Sequence, residues 1–402
     1  MSFTYTRALC ILSRSLELPT EEPSKTACVV SSPDELSNEL SNELSNELPN
    51  EVPNEEPSNI VPDVHTGDDY DSSYSDDDLS YTTSLPSSVQ TFPIENGRTY
   101  HAYKDGKYWG SNDEEANEHL TVGHFLYTKT LGGRPYLAPI SPNPTNILDL
   151  GTGTGSWATD VADQHPTAIV TGTDLSPIQP SFVPPNVRFE IDDAEAEWTF
   201  PENSFDFIHI RGLHGSVEAW PGLYAQCLRF LKPGGYLEQS EYSPQFTSDD
   251  NTIPEDGGIA AWNSVWPECH QVLGREMQIL DGMKQYMIDA GLQSVTEHKF
   301  KWPLGDWPKD PVLKDLGLWA KAHAETGLEN WTLRPLTNHL GWTAEEVHVL
   351  CAKEMALWFE IRLDTAAFSP ASDRLLDQQS ILILILEEHY QIKVLLSSHN
   401  WH

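Results

Sequence analysis

The chain has 402 residues and a formal net charge of −37 at pH 7, from 24 basic and 61 acidic side chains. So strong a negative field repels nucleic acid phosphates, and direct binding to DNA or RNA is therefore not expected. No apolar run reaches the roughly 18 residues of a membrane span, and the five cysteines are scattered without a C-x-x-C pair. We expect a cytoplasmic or nuclear protein without a membrane anchor or a metal site.

The first 90 residues differ in composition from the rest of the chain. They contain 18 acidic and 3 basic side chains, and the tetrapeptide Ser-Asn-Glu-Leu occurs three times between residues 37 and 48. Too few large apolar side chains are present to offset the entropy lost on ordering. The composition predicts a disordered acidic tail over residues 1–90, with a short partner-binding arm as the alternative.

A folded domain is predicted over residues 91–360, and it begins with a helix. The Ser-x-x-Glu pattern at Ser111–Glu114 has the form of a capping box, which predicts a helix from about residue 112 to 131. Gly132 and Gly133 end this helix, and a proline-rich loop leads into the first strand.

That strand ends in a glycine-rich turn, Asn-Ile-Leu-Asp-Leu-Gly-Thr-Gly-Thr-Gly at residues 146–155. The alternating Gly151, Gly153 and Gly155 permit a tight turn and a close approach of a ligand to the backbone. Dinucleotide-binding folds use G-x-G-x-x-G, and Ser156 breaks that pattern. Asp149, at the strand end, would repel a phosphate and attract an ammonium group. The turn therefore favours S-adenosylmethionine (AdoMet), which has an ammonium and a sulfonium group and no phosphate.

Carboxylates also follow the next two apolar runs. Ala168–Thr173 is followed by Asp174, 23 residues after Gly151, where doubly wound folds place a carboxylate for the ribose hydroxyls. Val187–Ile191 is followed by Asp192 and Asp193, either of which could accept the adenine amino group. Two more strand-like runs follow, at residues 205–210 and 231–238. Five such runs alternating with helix-like segments predict an α/β fold with a mostly parallel, doubly wound sheet.

The pattern changes after the fifth run. Residues 240–294 contain a loop and two predicted helices, near 259–275 and 281–290, and a sixth strand is predicted at Val295–Trp302. Helices are also predicted at 311–326 and at 343–360, and a second capping box, Thr343 with Glu346, begins the latter.

The C-terminal segment, residues 361–402, contains the continuous apolar run Ile381–Leu386, which suits a buried strand or part of a buried helix. We predict that part of Ser380–Leu396 packs against the sixth strand, because that strand would otherwise form an unpaired sheet edge.

Further segments accompany the glycine turn: Glu95-Asn96-Gly97-Arg98, His101-Ala102-Tyr103, Asn112-Asp113-Glu114-Glu115, Asp174-Leu175-Ser176-Pro177-Ile178-Gln179-Pro180 and Trp198-Thr199-Phe200. Together these segments resemble the fungal TAM-domain methyltransferases, class I AdoMet-dependent enzymes that include the LaeA-like regulators of secondary metabolism. The resemblance covers about residues 93–352. It implies a Rossmann-like sheet of up to seven strands, a helix that covers the cofactor, and an acceptor-binding insertion at about 240–294.

The candidate AdoMet-binding residues are Asp149, Gly151, Gly153, Gly155, Asp174, Leu175, Asp193, Ala194 and Arg211. Similar enzymes place the adenine-binding carboxylate directly before a small residue, here Ala194, and this favours Asp193 over Asp192. Arg211 could hold the carboxylate side of the cofactor or brace its own loop.

His214 follows the fourth strand, at the edge of the sheet where ligands bind in this architecture. A histidine there can act as a general base near neutral pH, although a hydrogen-bonded loop residue is the commoner alternative. We expect an AdoMet-dependent methyltransferase that acts on a small-molecule or protein acceptor. The alternative is an AdoMet-binding regulatory component of a nuclear complex, which controls secondary metabolism through protein partners.

Overall fold

The structure is a computed structural model that describes residues 87–249, 253–255, 257–353 and 388–399. The tail predicted for residues 1–90 lies almost wholly outside these residues, and so does the apolar run Ile381–Leu386.

The described chain begins with a short helix and a small hairpin. Helix α1 (Ser87–Gln90) precedes strands β1 (Ile94–Glu95) and β2 (Arg98–Thr99), which pair antiparallel. Helix α2 (Glu114–Thr130) follows.

The main sheet contains five parallel strands in the order β5-β4-β3-β6-β7. They are β3 (Asn146–Leu150), β4 (Ile169–Asp174), β5 (Val187–Ile191), β6 (Phe205–Arg211) and β7 (Leu231–Tyr242). This arrangement confirms the predicted doubly wound α/β fold. The strand order reverses at β3, and ligands of such sheets bind beyond the carboxyl ends of the strands at this point of reversal.

Antiparallel strands complete the sheet. Strand β10 (Glu388–Ser398) lies between β7 and β9 (Gln293–Pro303) and pairs antiparallel with both, and the short β8 (Thr247–Ser248) also pairs with β10. The prediction that part of Ser380–Leu396 packs against the sixth strand is thus confirmed, and among the described strands β9 is paired on one side, with β10, and forms an edge of the sheet.

Helices cover both faces of the sheet. They are α3 (Ser156–Gln164), α4 (Trp220–Phe230), α5 (Gly258–Leu273), a 3₁₀ turn (Ile279–Asp281), α6 (Met283–Asp289) and α7 (Pro311–His339), and residues 344–353 are helical too. Ile147 packs in a core with α3, whereas the next residue, Leu148, packs in a core with α4 and α6. In β10, Leu396 packs in the core with α3 and Leu395 packs in the core with α4 and α6. This alternation is expected because successive side chains of a strand point to opposite faces.

A third core, rich in aromatic side chains, joins α2, α5 and α7. None of the helices in the described ranges is both long and apolar enough to cross a membrane.

Two details of the predicted helices were wrong. The N-cap of α2 is Asp113, which accepts the N–H of Ala116, whereas the hydroxyl of Ser111 donates to Asn330 and makes no capping box. Helix α7 continues to His339 instead of ending near residue 326, because packing of its buried residues extends it. The capping box of Thr343 and Glu346 is confirmed, since each side chain accepts the backbone N–H of the other.

Candidate functional site

The glycine turn after β3 has the conformation that its sequence requires. Gly151, Gly153 and Gly155 have φ angles of 66°, 56° and 75°, values that residues with a Cβ rarely adopt. A Cβ on Gly151 would lie 2.5 Å from the side chain of Leu213, and one on Gly155 would lie 2.3 Å from Phe189. Gly155 is the N-cap of α3, so the turn places the start of that helix beside the carboxyl end of β3.

Asp149 lies beneath this turn, and its carboxylate contacts protein groups. It accepts the hydroxyl of Thr152 at 2.6 Å and lies 2.7 Å from Nδ1 of His209, whose ring stacks on Trp157 at 3.7 Å. Burial lowers the pKa of His209. Asp149 therefore holds Thr152 and the base of the turn in place.

A cavity of about 860 Å³, a volume that includes space open to solvent, lies beside the turn. Seven of the ten predicted site residues line it: Gly151, Gly153, Asp174, Leu175, Asp193, Ala194 and Arg211. We call this space the first cavity. Its lining also includes His101, Lys107, Tyr108, Ser111, Asn112 and Leu120, from the hairpin-to-α2 segment and from α2 itself. Of these residues only Leu120 belongs to α2, and the helix that covers the cofactor stays a prediction.

Asp174, at the end of β4, forms hydrogen bonds with two segments that line the first cavity. Its Oδ2 accepts the N–H of Gly153 and its Oδ1 accepts the N–H of Ser176, each at 2.9 Å. Burial raises the pKa of Asp174 to about 6. The backbone N–H of Leu175 also interacts with this carboxylate, and a carboxylate with about four lone-pair sites can still accept a hydrogen bond from a ligand.

A cluster of carboxylates forms the next part of the wall, after β5. Asp192, Asp193 and Glu195 all line the first cavity. The ammonium group of Lys107 lies 3.1 Å from Asp193 and 3.0 Å from Glu195. This pair of contacts ties the segment before α2 to the end of β5. No sequence pattern pointed to Lys107, because its partners lie more than 80 positions away.

Arg211, at the end of β6, lines the first cavity and also a second, adjoining one. It donates to Nδ1 of His124 at 3.3 Å, and its guanidinium lies 5.1 Å from the ring centre of Tyr127. Burial lowers the pKa of Arg211. Arg211 lies where the two cavities meet. This position is compatible with both predicted roles, holding the carboxylate side of the cofactor or bracing its own loop.

The second cavity shares six lining residues with the first, which are Tyr108, Leu120, Gly151, Gly153, Arg211 and Gly212. The rest of its lining is Trp109, His119, Gly123, His124, Tyr127, Thr152, Thr154, Tyr242, His323 and Trp331. Residues 119, 123 and 127 recur every fourth position of α2, and this spacing is the one sequence signal that could have assigned them to a common face. His323 and Trp331 come from α7, far along the chain, and sequence spacing could not have placed them here.

His214 lines neither of these two cavities. Its side chain is buried with Nδ1 3.2 Å from Glu241, and its carbonyl accepts the indole N–H of Trp109. Glu241 also accepts the backbone N–H of Leu213 at 3.0 Å. The role of His214 as a base remains a prediction, and its contacts place it in the packing behind the second cavity.

Within the part of the chain that the structure describes, no group of three or more His, Cys, Asp or Glu side chains could hold a metal ion.

Comparisons with known proteins relate this chain to methyltransferases. A family model described as a methyltransferase domain matches residues 122–297. Methyltransferase pytC of Aspergillus terreus is 43% identical over 272 residues, which cover 67% of this chain and 84% of that protein.

Two further relatives are named as regulators or protein-modifying enzymes. Secondary metabolism regulator LAE1 of Cochliobolus heterostrophus is 37% identical, over 62% of this chain and 83% of its own length. Protein-methionine methyltransferase laeA of Emericella nidulans is 34% identical, over 65% of this chain and 70% of its own length.

Proposed function

This chain belongs to the family of fungal AdoMet-dependent methyltransferases that includes pytC and the LaeA-type proteins, and from this premise we propose that the first cavity binds AdoMet while the second holds the methyl acceptor.

The observation that carries this proposal is the charge of the first cavity. Its lining contains four carboxylates, Asp174, Asp192, Asp193 and Glu195, against two cations, Lys107 and Arg211. Lys107 is already paired with two of the carboxylates. A net negative wall attracts the sulfonium and ammonium groups of AdoMet and repels the phosphates of a dinucleotide.

The contacts of individual residues fit the parts of AdoMet. Asp174 lies at the end of β4 and would accept hydrogen bonds from the ribose hydroxyls. Gly151 and Gly153 line the cavity, and because they lack a Cβ the side chains of Leu213 and Leu120 can pack against the turn. Asp193 and Ala194, after β5, would hold the adenine.

AdoMet supplies an electrophilic methyl group on its sulfonium. The protein holds the acceptor close to that methyl group and keeps water away, which is enough for an in-line displacement when the acceptor is a good nucleophile. The shared wall of Gly151, Gly153, Gly212 and Arg211 is the place where the two cavities meet. The two reactants would therefore meet beside the glycine turn.

Transfer can be measured with methyl-labelled AdoMet. The full chain is incubated with labelled AdoMet and a fungal cell extract, and label is then counted separately in the protein and the small-molecule fractions. We expect label in one fraction with the native protein and little label with Asp174→Asn. Equal label with both proteins would contradict the assignment of the first cavity to AdoMet.

A second candidate function comes from the relatives that are named regulators. In this alternative the protein binds AdoMet and acts in the nucleus or cytoplasm through protein partners. Calorimetric binding of AdoMet without label in either fraction would favour this regulatory function over catalysis.

A further inference from the structure

Aromatic rings and neutral imidazoles form most of the second cavity wall. Trp109, Tyr127, Tyr242 and Trp331 line it, and all four side chains are buried. Among the lining residues there is no carboxylate, and the one cation is Arg211. The cavity thus differs sharply in chemistry from the acidic first cavity.

Two imidazoles face each other in this wall. The rings of His119 and His323 lie 4.4 Å apart, and His323 also packs 5.4 Å from Trp331. Burial lowers the pKa of His119 to about 4 and keeps the pKa of His323 well below its usual range. Both rings are therefore neutral near pH 7, and they add no charge to the wall.

Two polar atoms in the wall lack a hydrogen-bond partner within the described part of the chain. They are Oη of Tyr127 and Nδ1 of His323, and these side chains belong to residues that are only 5% and 3% exposed. Leaving a buried polar group unpaired costs about 1–3 kcal/mol. A native fold tolerates such atoms where a ligand supplies the missing partner.

We propose that the second cavity recognises its methyl acceptor as a planar, uncharged aromatic molecule, with an oxygen-bearing polar group that hydrogen-bonds to Tyr127 Oη and His323 Nδ1. This assignment rests on the proposed function, because it takes the second cavity as the acceptor site.

The charge of the surroundings disfavours a cationic acceptor. An ammonium group in the second cavity would lie near Arg211 and near the sulfonium of AdoMet, with no carboxylate in the lining to offset the repulsion. A flat uncharged ring instead gains area against the aromatic wall. A hydroxyl or carbonyl on that ring has the chemistry to pair with either orphan atom, because the Tyr127 hydroxyl donates and a neutral imidazole nitrogen donates or accepts.

The three methionines of the described residues lie away from this cavity. Met277, Met283 and Met287 are at most 1% exposed, and none of them lines either cavity. Methylation of these three side chains would require the fold to open. The site is better suited to a separate small molecule.

The test uses the full chain loaded with S-adenosylhomocysteine and three matched probes: 2-naphthol, naphthalene and 2-naphthylmethylammonium. Binding of S-adenosylhomocysteine is measured first by calorimetry, and each probe is then titrated by ligand-observed NMR. We expect 2-naphthol to bind most tightly and the ammonium probe least tightly. Tyr127→Phe and His323→Leu should each weaken 2-naphthol binding about fivefold, the effect of one lost hydrogen bond of about 1 kcal/mol.

Controls separate recognition from folding. Tyr136→Phe removes a hydroxyl that bonds to His165 outside both cavities, and it should leave binding of all three probes unchanged. His323→Asn retains a polar atom near the Nδ1 position and should restore most of the affinity that His323→Leu loses. Cooperative thermal unfolding and binding of S-adenosylhomocysteine are checked for every variant, so that a loss of 2-naphthol affinity is measured on folded, loaded protein.

Preference for the ammonium probe, or equal affinity for 2-naphthol in native protein and both variants, would overturn the proposal. Failure of S-adenosylhomocysteine to bind the native protein would instead refute the proposed function, and the first titration detects this separately.

Discussion

Replacing Asp174 by Asn should weaken AdoMet binding strongly, and the structure gives the scale of the loss. Both oxygens of Asp174 already accept a backbone N–H, from Gly153 and Ser176. The amide of Asn would direct an NH₂ group at one of these donors, and the charge that strengthens the bonds to the ribose would be lost. Charge-assisted hydrogen bonds contribute about 1.5–3 kcal/mol each, so a loss of about 2–4 kcal/mol is expected. That loss is about 30- to 1000-fold in Kd.

The pH dependence provides a second signature of the same carboxylate. Burial raises the pKa of Asp174 to about 6 in the free protein, and only the ionised form can accept both ribose hydroxyls. AdoMet affinity should therefore be constant above pH 6 and should fall by up to about tenfold per pH unit below it. In Asp174→Asn this fall should disappear, because no proton has to leave position 174.

Isothermal titration calorimetry between pH 5 and 8 measures both effects. Asp192→Asn is the matched control, since Asp192 lines the same cavity and the substitution removes the same charge. We expect the control to retain most of its affinity and the native fall below pH 6. Equal losses in Asp192→Asn and Asp174→Asn would show that the cavity acts only through its total charge, and this would refute the ribose assignment.

Three further predictions concern stability. Leu395→Ala should lower the free energy of unfolding by about 2–5 kcal/mol in urea titrations, because Leu395 is fully buried in the core with α4 and α6; a change below 0.5 kcal/mol would mean that β10 is not part of the sheet. The native protein should lose stability relative to Glu238→Gln as pH rises from about 4 to 7 in thermal melts, since burial raises the pKa of Glu238 to about 7 and the folded state binds its proton more tightly than the unfolded chain does. A difference in stability between the two proteins that stayed constant over this range would contradict the raised pKa of Glu238. Gly155→Ala should lower the melting temperature by several degrees, because the φ of Gly155 is 75° and the new Cβ would lie 2.3 Å from Phe189. Gly133→Ala is the control for the backbone effect alone, since Gly133 has a φ of 85° and a Cβ there would have nothing within 4 Å. It should lower the melting temperature less.

The sequence predicted the sheet and the residues that line the first cavity at the strand ends because local patterns determine both. Apolar runs that end in Asp149 and Asp174 define strands β3 and β4, and in a parallel sheet the carboxyl ends of neighbouring strands meet at one edge. The alternating Gly151, Gly153 and Gly155 predict a tight turn, and all three have a positive φ. Strand ends and turns can thus be predicted without knowledge of distant contacts.

The acceptor side could not be predicted in the same way. His323 and Trp331 reach the second cavity because α7 packs against α2, and helix packing leaves no local pattern at a separation of about 200 residues. Lys107 was missed for the same reason. Ser111 was assigned to a capping box because the local motif fits, but a distant partner, Asn330, binds its hydroxyl instead.

The measurement that tests the central claim most directly is a crystal structure of the full chain with S-adenosylhomocysteine. We predict that the ribose hydroxyls donate to the carboxylate of Asp174, that the adenine lies beside Asp193 and Ala194, and that the sulfur points to the junction at Arg211. Ligand bound elsewhere, or bound in the first cavity without contact to Asp174, would contradict the proposed AdoMet site.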